Sequence, residues 1–145
     1  MKVFVDTNVL VYARDASEPG KQNRAQAWME QLWVSKTGCT SVQVLNEFYV
    51  TVTRKLTPAM PLQQARADVA DLQEWNPVPL DAALLDSTWV VEDQFGLSYW
   101  DSLIVAAAWS TGCALLLTED LQDGLSLDGL EVMNPFNHHP DTVLL

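Results

Sequence analysis

After Arg66 the 145-residue sequence contains no lysine and no arginine. Up to that point eight basic residues face five acids, and from Ala67 onward 14 acids stand without a basic partner. The net charge is −11, which disfavours contact with nucleic acid unless bound cations or a local basic patch intervene. Cysteine is scarce too. Cys39 and Cys113 are too few for a disulfide scaffold, and neither belongs to a CxxC pair. The two histidines, His138 and His139, sit together in the polar stretch NPFNHHPDT, so a zinc centre lacks its usual ligands. No apolar run approaches the ~18 residues needed to span a bilayer. The first apolar run is interrupted by Asp6 and Asn8, unlike a secretory signal. The expectation is a soluble, cytoplasmic protein without a membrane role.

Apolar residues make up 48% of the chain, including six tryptophans, so a packed core is affordable in one domain. Linkers, low-complexity stretches and long repeats are missing; residues 136–145 read as a C-terminal tail to a single domain, 1–145. Lys2–Asp6 reads as a buried strand. Gly20–Val34 reads as a helix with Ala27, Trp28, Leu32 and Trp33 on its apolar side, stopped by Gly38 before a short strand, Cys39–Thr40. Ser41 suits the N-cap of a helix reaching Leu56, which Pro58 and Pro61 break. An amphipathic helix over Leu62–Trp75 and a short strand over Val78–Leu80 follow. Asp81 caps a helix to about Gln94, and Ser98 caps an apolar helix, Tyr99–Thr111, stopped by Gly112. Ala114–Thr118 and Leu130–Met133 read as strands. The alternation predicts an α/β domain with a mostly parallel central sheet covered by helices on both faces. The triplet Thr-Gly-Cys occurs at 37–39 and 111–113, each time between helix and strand, and both cysteines read as structural.

In such a sheet ligands bind at the carboxyl ends of the strands. Three acids fall there: Asp6 after the first strand, Asp120 after ALLLT, and Asp101 in the first turn of the helix capped by Ser98. Each also has an ordinary use. Asp6 suits the cap of a short helix beginning near Asn8, Asp101 completes an S-x-x-D capping box, and Asp120 suits a turn, as do Glu119 and Asp123. Glu47 flanks the apolar stripe of its helix. Taken together the four are costly, because carboxylates within ~5 Å repel by roughly 3 kcal/mol per pair at an effective dielectric near 20. Either protons or a multivalent cation must balance them, and an all-oxygen set suits Mg²⁺ or Mn²⁺.

The stretches VFVDTNVLVY, SVQVLNEF, SYWDSLIVAAA and LLTED, in this order and spacing, resemble PIN domains, and in detail the VapC toxins of bacterial type II toxin–antitoxin systems. The resemblance covers roughly Lys2 to Pro135. It implies an α/β/α sandwich and a Mg²⁺- or Mn²⁺-dependent endoribonuclease that activates water, leaving a 5′-phosphate and a 3′-hydroxyl. It carries the family's acidic quartet onto Asp6, Glu47, Asp101 and Asp120, with Asp123 assisting or replacing Asp120. Thr7, Asn8 and Thr118 match the small polar residues that support those acids. RNA would approach through Arg14, Lys21, Arg24, Arg54 and Lys55. A homodimer and a cognate antitoxin with a basic segment are the implied protein partners. A PIN-type nuclease of RNA processing without an antitoxin, or a PIN-like interaction module with structural acids, are the competing readings. A phosphatase with a strand-end aspartate nucleophile would need a second Asp two residues on, where this chain has Asn8, and both it and a phosphorylation-receiver domain would need a lysine late in the chain, whereas none follows Lys55.

Overall fold

A computed structural model describes residues 1–144. Its strands are β1 (Val3–Val5), β2 (Gly38–Cys39), β3 (Leu115–Leu117), β4 (Ser126–Leu127) and β5 (Leu130–Met133). They form one sheet in the order β2-β1-β3-β5-β4, parallel except for β4, which runs antiparallel to β5. Both β1 and β3 are buried at every position, as expected of strands covered on two faces. The helices are α1 (Thr7–Tyr12), α2 (Pro19–Ser35), α3 (Val42–Val50), α4 (Leu62–Leu72), α5 (Ala82–Phe95), α6 (Tyr99–Ser110) and α7 (Pro140–Val143). The expected mostly parallel α/β architecture is observed, and among the described residues no helix is long and apolar enough to cross a membrane.

Capping chemistry places the helix starts. The side chains of Ser41, Asp81 and Ser98 accept hydrogen bonds from the backbone N–H groups of Val44, Leu84 and Asp101. Buried residues run without a break from Ser102 to Ala108, so α6 is the apolar pillar of one layer. Helix α2 buries Ala25, Trp28 and Leu32. The Trp28 indole donates to the carbonyls of Pro135 and His138 at 3.1 and 2.9 Å, tying the C-terminal segment to the core. The stretch expected as a tail therefore carries α7, and Phe136 packs edge-on against Tyr12.

Several local expectations need correction. Beyond α3 the chain continues as one π-helical turn, Thr51–Lys55, so the expected helix changes hydrogen-bond pattern before Leu56. The expected strand at Val78–Leu80 is a single parallel bridge between Val78 and Ser41. Pro77 and Pro79 lack the N–H groups that would extend it. The tryptophans are not mainly core: Trp33, Trp89 and Trp100 are exposed. The two Thr-Gly-Cys triplets use glycine differently. Gly112 has φ +69 and ends α6 as expected, but α2 ends on Lys36, at φ +58. Gly38 lies within β2, where a Cβ would run into the ring of Trp75. Gly38→Ala is therefore predicted to destabilise the fold by roughly 1–3 kcal/mol through overpacking. Thermal unfolding of that variant checks it, and an unchanged midpoint would mean that the Trp75 ring moves aside freely.

Candidate active site at the sheet's carboxyl edge

The chain passes from β1 to β2 on one side of β1 and later returns as β3 on the other. The crevice where the order reverses, between the carboxyl ends of β1 and β3, is where an open α/β sheet offers a binding site. Asp6 follows β1 directly, and Thr118, Glu119 and Asp120 follow β3.

Asp6 is 7% exposed and anchored through both oxygens. Its Oδ1 accepts from the backbone N–H of Thr7 at 2.7 Å, capping α1, and its Oδ2 accepts from the Thr118 hydroxyl at 2.8 Å. That hydroxyl in turn accepts from Asn8 Nδ2 at 3.0 Å and from the N–H of Asp120 at 3.1 Å. Asn8 also reaches Asp120 Oδ2 at 3.3 Å and accepts from the N–H of Glu119. Thr118 and Asn8 thus stitch the ends of β1 and β3 into one polar unit. Glu47, on the exposed side of α3, accepts from Gln43 Nε2 at 2.8 Å and from the Thr7 hydroxyl at 3.4 Å. Asp101 sits in the first turn of α6. Ser98 accepts from its N–H, but among the described residues its carboxylate makes no hydrogen bond back to Ser98. The second half of the expected capping box is missing, which leaves the carboxylate free.

The acids feel one another. Burial pushes Asp6 up to about 7, against the lowering bonds from Thr7 and Thr118, and the charges of Asp120 and Glu47 add to the rise. Burial also raises Asp120, Asn8 opposes it, and the charges of Glu119 and Asp101 raise it further. The structure therefore brings Asp6, Glu47, Asp101 and Asp120 into one electrostatic group. Asp123 lies outside it. Its carboxylate accepts from the N–H of Asn134 and pairs with His138 Nε2, each at 2.9 Å, and the Asn134 bond leads in holding it below the usual carboxylate range. Gln43 is the participant that sequence reasoning missed, although its spacing of four residues from Glu47 on one helix was a usable signal. It is buried, and its Oε1 has no partner.

Among the described residues, no three carboxylates, histidines or cysteines lie close enough together to hold a metal ion as they stand. The residues nevertheless fit one in kind. All the donors are oxygens, and the central carboxyl, pushed up to about 7 by burial and by the charges of Asp120 and Glu47, is one whose ionised form a divalent cation would favour.

The basic residues expected to meet RNA are placed unequally. Lys21 reaches the group: its Nζ pairs with Glu119 at 2.8 Å and lies 4.5 Å from the centre of the Tyr12 ring. Arg14 is engaged by Asp68 in a two-pronged pair, and Arg24 turns to the carbonyls of Pro135 and Phe136. Arg54 and Lys55 are exposed on the π-helical turn, about two helical turns beyond Glu47.

Residues 3–122 match the PIN domain family. None of the curated proteins matches the sequence. Among solved structures, a chain of a toxin–antitoxin complex from Klebsiella pneumoniae is similar at a TM-score of 0.64 and 18% identity, covering 93% of this chain and 98% of its own. The sarcin–ricin loop cleaving toxin VapC20 of Mycobacterium tuberculosis is similar at 0.57 and 21% identity, covering 82% and 90%.

The folded protein holds the Asp6 proton to about pH 7, whereas the unfolded chain releases it near 3.8. The native state binds more protons across that window, so stability falls as the pH rises through it. Without divalent cations, wild type is predicted to lose stability relative to Asp6→Asn, which keeps the cap, by at most about 1.4 kcal/mol per pH unit. Urea midpoints across the window measure this. Parallel profiles for the two proteins would mean that Asp6 is ionised throughout.

Proposed function

The chain belongs to the PIN domain family, and from that premise we propose that it is a Mg²⁺- or Mn²⁺-dependent endoribonuclease, the cytoplasmic toxin of a toxin–antitoxin pair. One observation carries the proposal. At the topological switch point the buried carboxyl of Asp6 feels the charges of Asp120 and Glu47, Asp120 feels that of Asp101, and burial leads in raising both. The fold likeness to a chain of a toxin–antitoxin complex and to a toxin that cleaves the sarcin–ricin loop supports the choice of RNA and of an antitoxin.

Asp6, Glu47, Asp101 and Asp120 are the residues that would hold the metal. When bound, the ion would lower the pKa of a water molecule and stabilise charge on the phosphate. The rest falls to the chain. Thr7 and Thr118 fix both oxygens of Asp6, so its orientation is set before substrate arrives. Asn8 holds Asp120 against Thr118, and Gln43 holds Glu47. Asp101 is the least restrained of the four and is free to turn toward the phosphate or its water. Lys21, beside Glu119, is placed to exchange that partner for a backbone phosphate. Outward-facing Leu85, Trp89 and Val90 of α5 and Trp100 of α6 support the expectation of protein partners, an antitoxin and a second copy.

Purified protein with Mn²⁺ or Mg²⁺ should cut structured RNA at discrete sites, leaving 5′-phosphate ends. EDTA and Asp101→Asn should each abolish the cuts. Thr118→Val, which frees one oxygen of Asp6, should lower activity or metal affinity by about 10–100-fold. Folded protein that binds neither metal nor RNA would overturn the proposal in favour of an interaction module.

Lys21→Gln should weaken RNA binding and reduce the slope of log K against log salt by about 1. An unchanged slope, measured by filter binding at several salt concentrations, would leave Lys21 as a structural partner of Glu119.

A further inference from the structure

The first turn of α3 holds a buried oxygen that nothing binds. Ser41 caps this helix, and Gln43 is its second residue. The pairing of β1 with β2 sets the turn against the acids. Val3 is in register with Gly38 and Phe4 with Cys39, and the Thr40 hydroxyl donates to the Val5 carbonyl at 3.3 Å. Continued past the strand ends, that register lays Ser41 beside Asp6. Gln43 follows two residues later, about one helical turn before Glu47.

Gln43 is 7% exposed. Its Nε2 donates to Glu47 Oε1 at 2.8 Å. Among the described residues nothing donates to its own Oε1, which is shut off from solvent. Turning the amide over does not relieve this. An ionised carboxylate offers only lone pairs, so Glu47 fixes which end of the amide faces it. The two amide atoms stand about 2.3 Å apart, which leaves Oε1 within about 5 Å of that carboxylate oxygen. Glu47 Oε2 accepts from the Thr7 hydroxyl at 3.4 Å, and the Glu47 charge bears on Asp6. The orphan oxygen therefore lies beside the acid group, on the side that β2 and α3 supply.

A buried carbonyl oxygen without a donor is rare, because its desolvation goes uncompensated. The acids are incomplete in a matching way, since among the described residues no three groups stand close enough to hold one ion. A single event meets both needs. Gathering the acids around a divalent cation brings in the water molecules that such an ion keeps. An amide oxygen accepts from one of them without adding charge, where a fifth carboxylate would add repulsion.

We propose that Gln43 is a further residue of the metal site: its amide oxygen accepts a hydrogen bond from a water that the cation carries, while its amide N–H group holds Glu47. The inference rests on the reading of the acids as a metal site. Gln43 is in this sense a positioning residue, and the oxygen unsatisfied in the ion-free protein is satisfied in the loaded one.

The probe is Mn²⁺ alone, without RNA. Urea midpoints are measured in EDTA and across a Mn²⁺ series for wild type, Gln43→Met, Glu47→Ala and the double variant. Binding to the folded state raises the midpoint, so weak affinities are also read this way. Gln43→Met is expected to keep or raise the ion-free midpoint, since it removes a buried oxygen that has no donor. It is expected to weaken Mn²⁺ binding by about 10–100-fold, in the wild-type and the Glu47→Ala backgrounds alike. A loss confined to the wild-type background would overturn the proposal, because Gln43 would then act only by holding Glu47. Unchanged Mn²⁺ affinity, or an ion-free midpoint that drops, would overturn it as well. Gln43→Leu is run in parallel, so that a folding defect peculiar to one side chain does not decide the result. Wild type that binds Mn²⁺ with Gln43→Met unchanged sinks this inference alone, whereas wild type that binds no Mn²⁺ sinks the metal-site reading with it.

Discussion

A carboxylate lifted out of water at the end of a central strand is the constraint on which the rest of this structure turns. Asp6 lies between two parallel neighbours, and burial alone would make its charge expensive. The chain answers with a backbone N–H from α1 on one oxygen and a hydroxyl from the end of β3 on the other. Those two bonds fix where α1 starts and how β3 ends. Asn8 then extends the same network to Asp120. The network still leaves the carboxyl poised near neutrality, because burial and two further acids outweigh its donors. A cation is the economical resolution, and this links the fold to the proposed chemistry. The ordinary reading of Asp6 as a helix cap and the functional one are both true. The cap bond occupies one lone pair of one oxygen and leaves the carboxylate able to face the crevice.

Much of this was legible in sequence, where local chemistry and fold agree. The caps Ser41, Asp81 and Ser98 mark the starts of three helices, and Leu130–Met133 is bounded by the residues that its apolar pattern suggests. The quartet was legible through its motif, and Thr118 through its place before the last acid. Other features depend on long-range partners that no local pattern encodes. Arg14 reads as a free cation until folding sets it against Asp68, 54 residues away. Asp123 reads as a spare ligand until the C-terminal segment folds back with Asn134 and His138. Gly38 reads as a helix stop, yet Lys36 adopts the left-handed conformation and the glycine is needed where Trp75 presses on the sheet. The hairpin of β4 and β5 has its signal in the Asp128–Gly129 pair, both at positive φ as a two-residue turn demands.

Charge segregation along the chain also gains meaning in three dimensions. The acids of the second half supply both the site, through Asp101 and Asp120, and the partners for bases of the first half. Lys21 pairs with Glu119 and Arg14 with Asp68. Lys21, beside the residues that follow β3, is already committed to an acid. Any polyanion that approaches must compete with Glu119 for it, which sets a threshold on binding and favours ligands that bring their own cations.

The sheet closes at both sides with strands of two residues, β2 and β4. Edges this short offer too few free backbone groups for another chain to pair along them. Short edges disfavour recognition by strand addition and favour partners that read side chains and helix faces. Binding by shape on helix faces would leave the sheet untouched by changes there, so the exposed residues of α5 and α6 are free to vary without cost to the core.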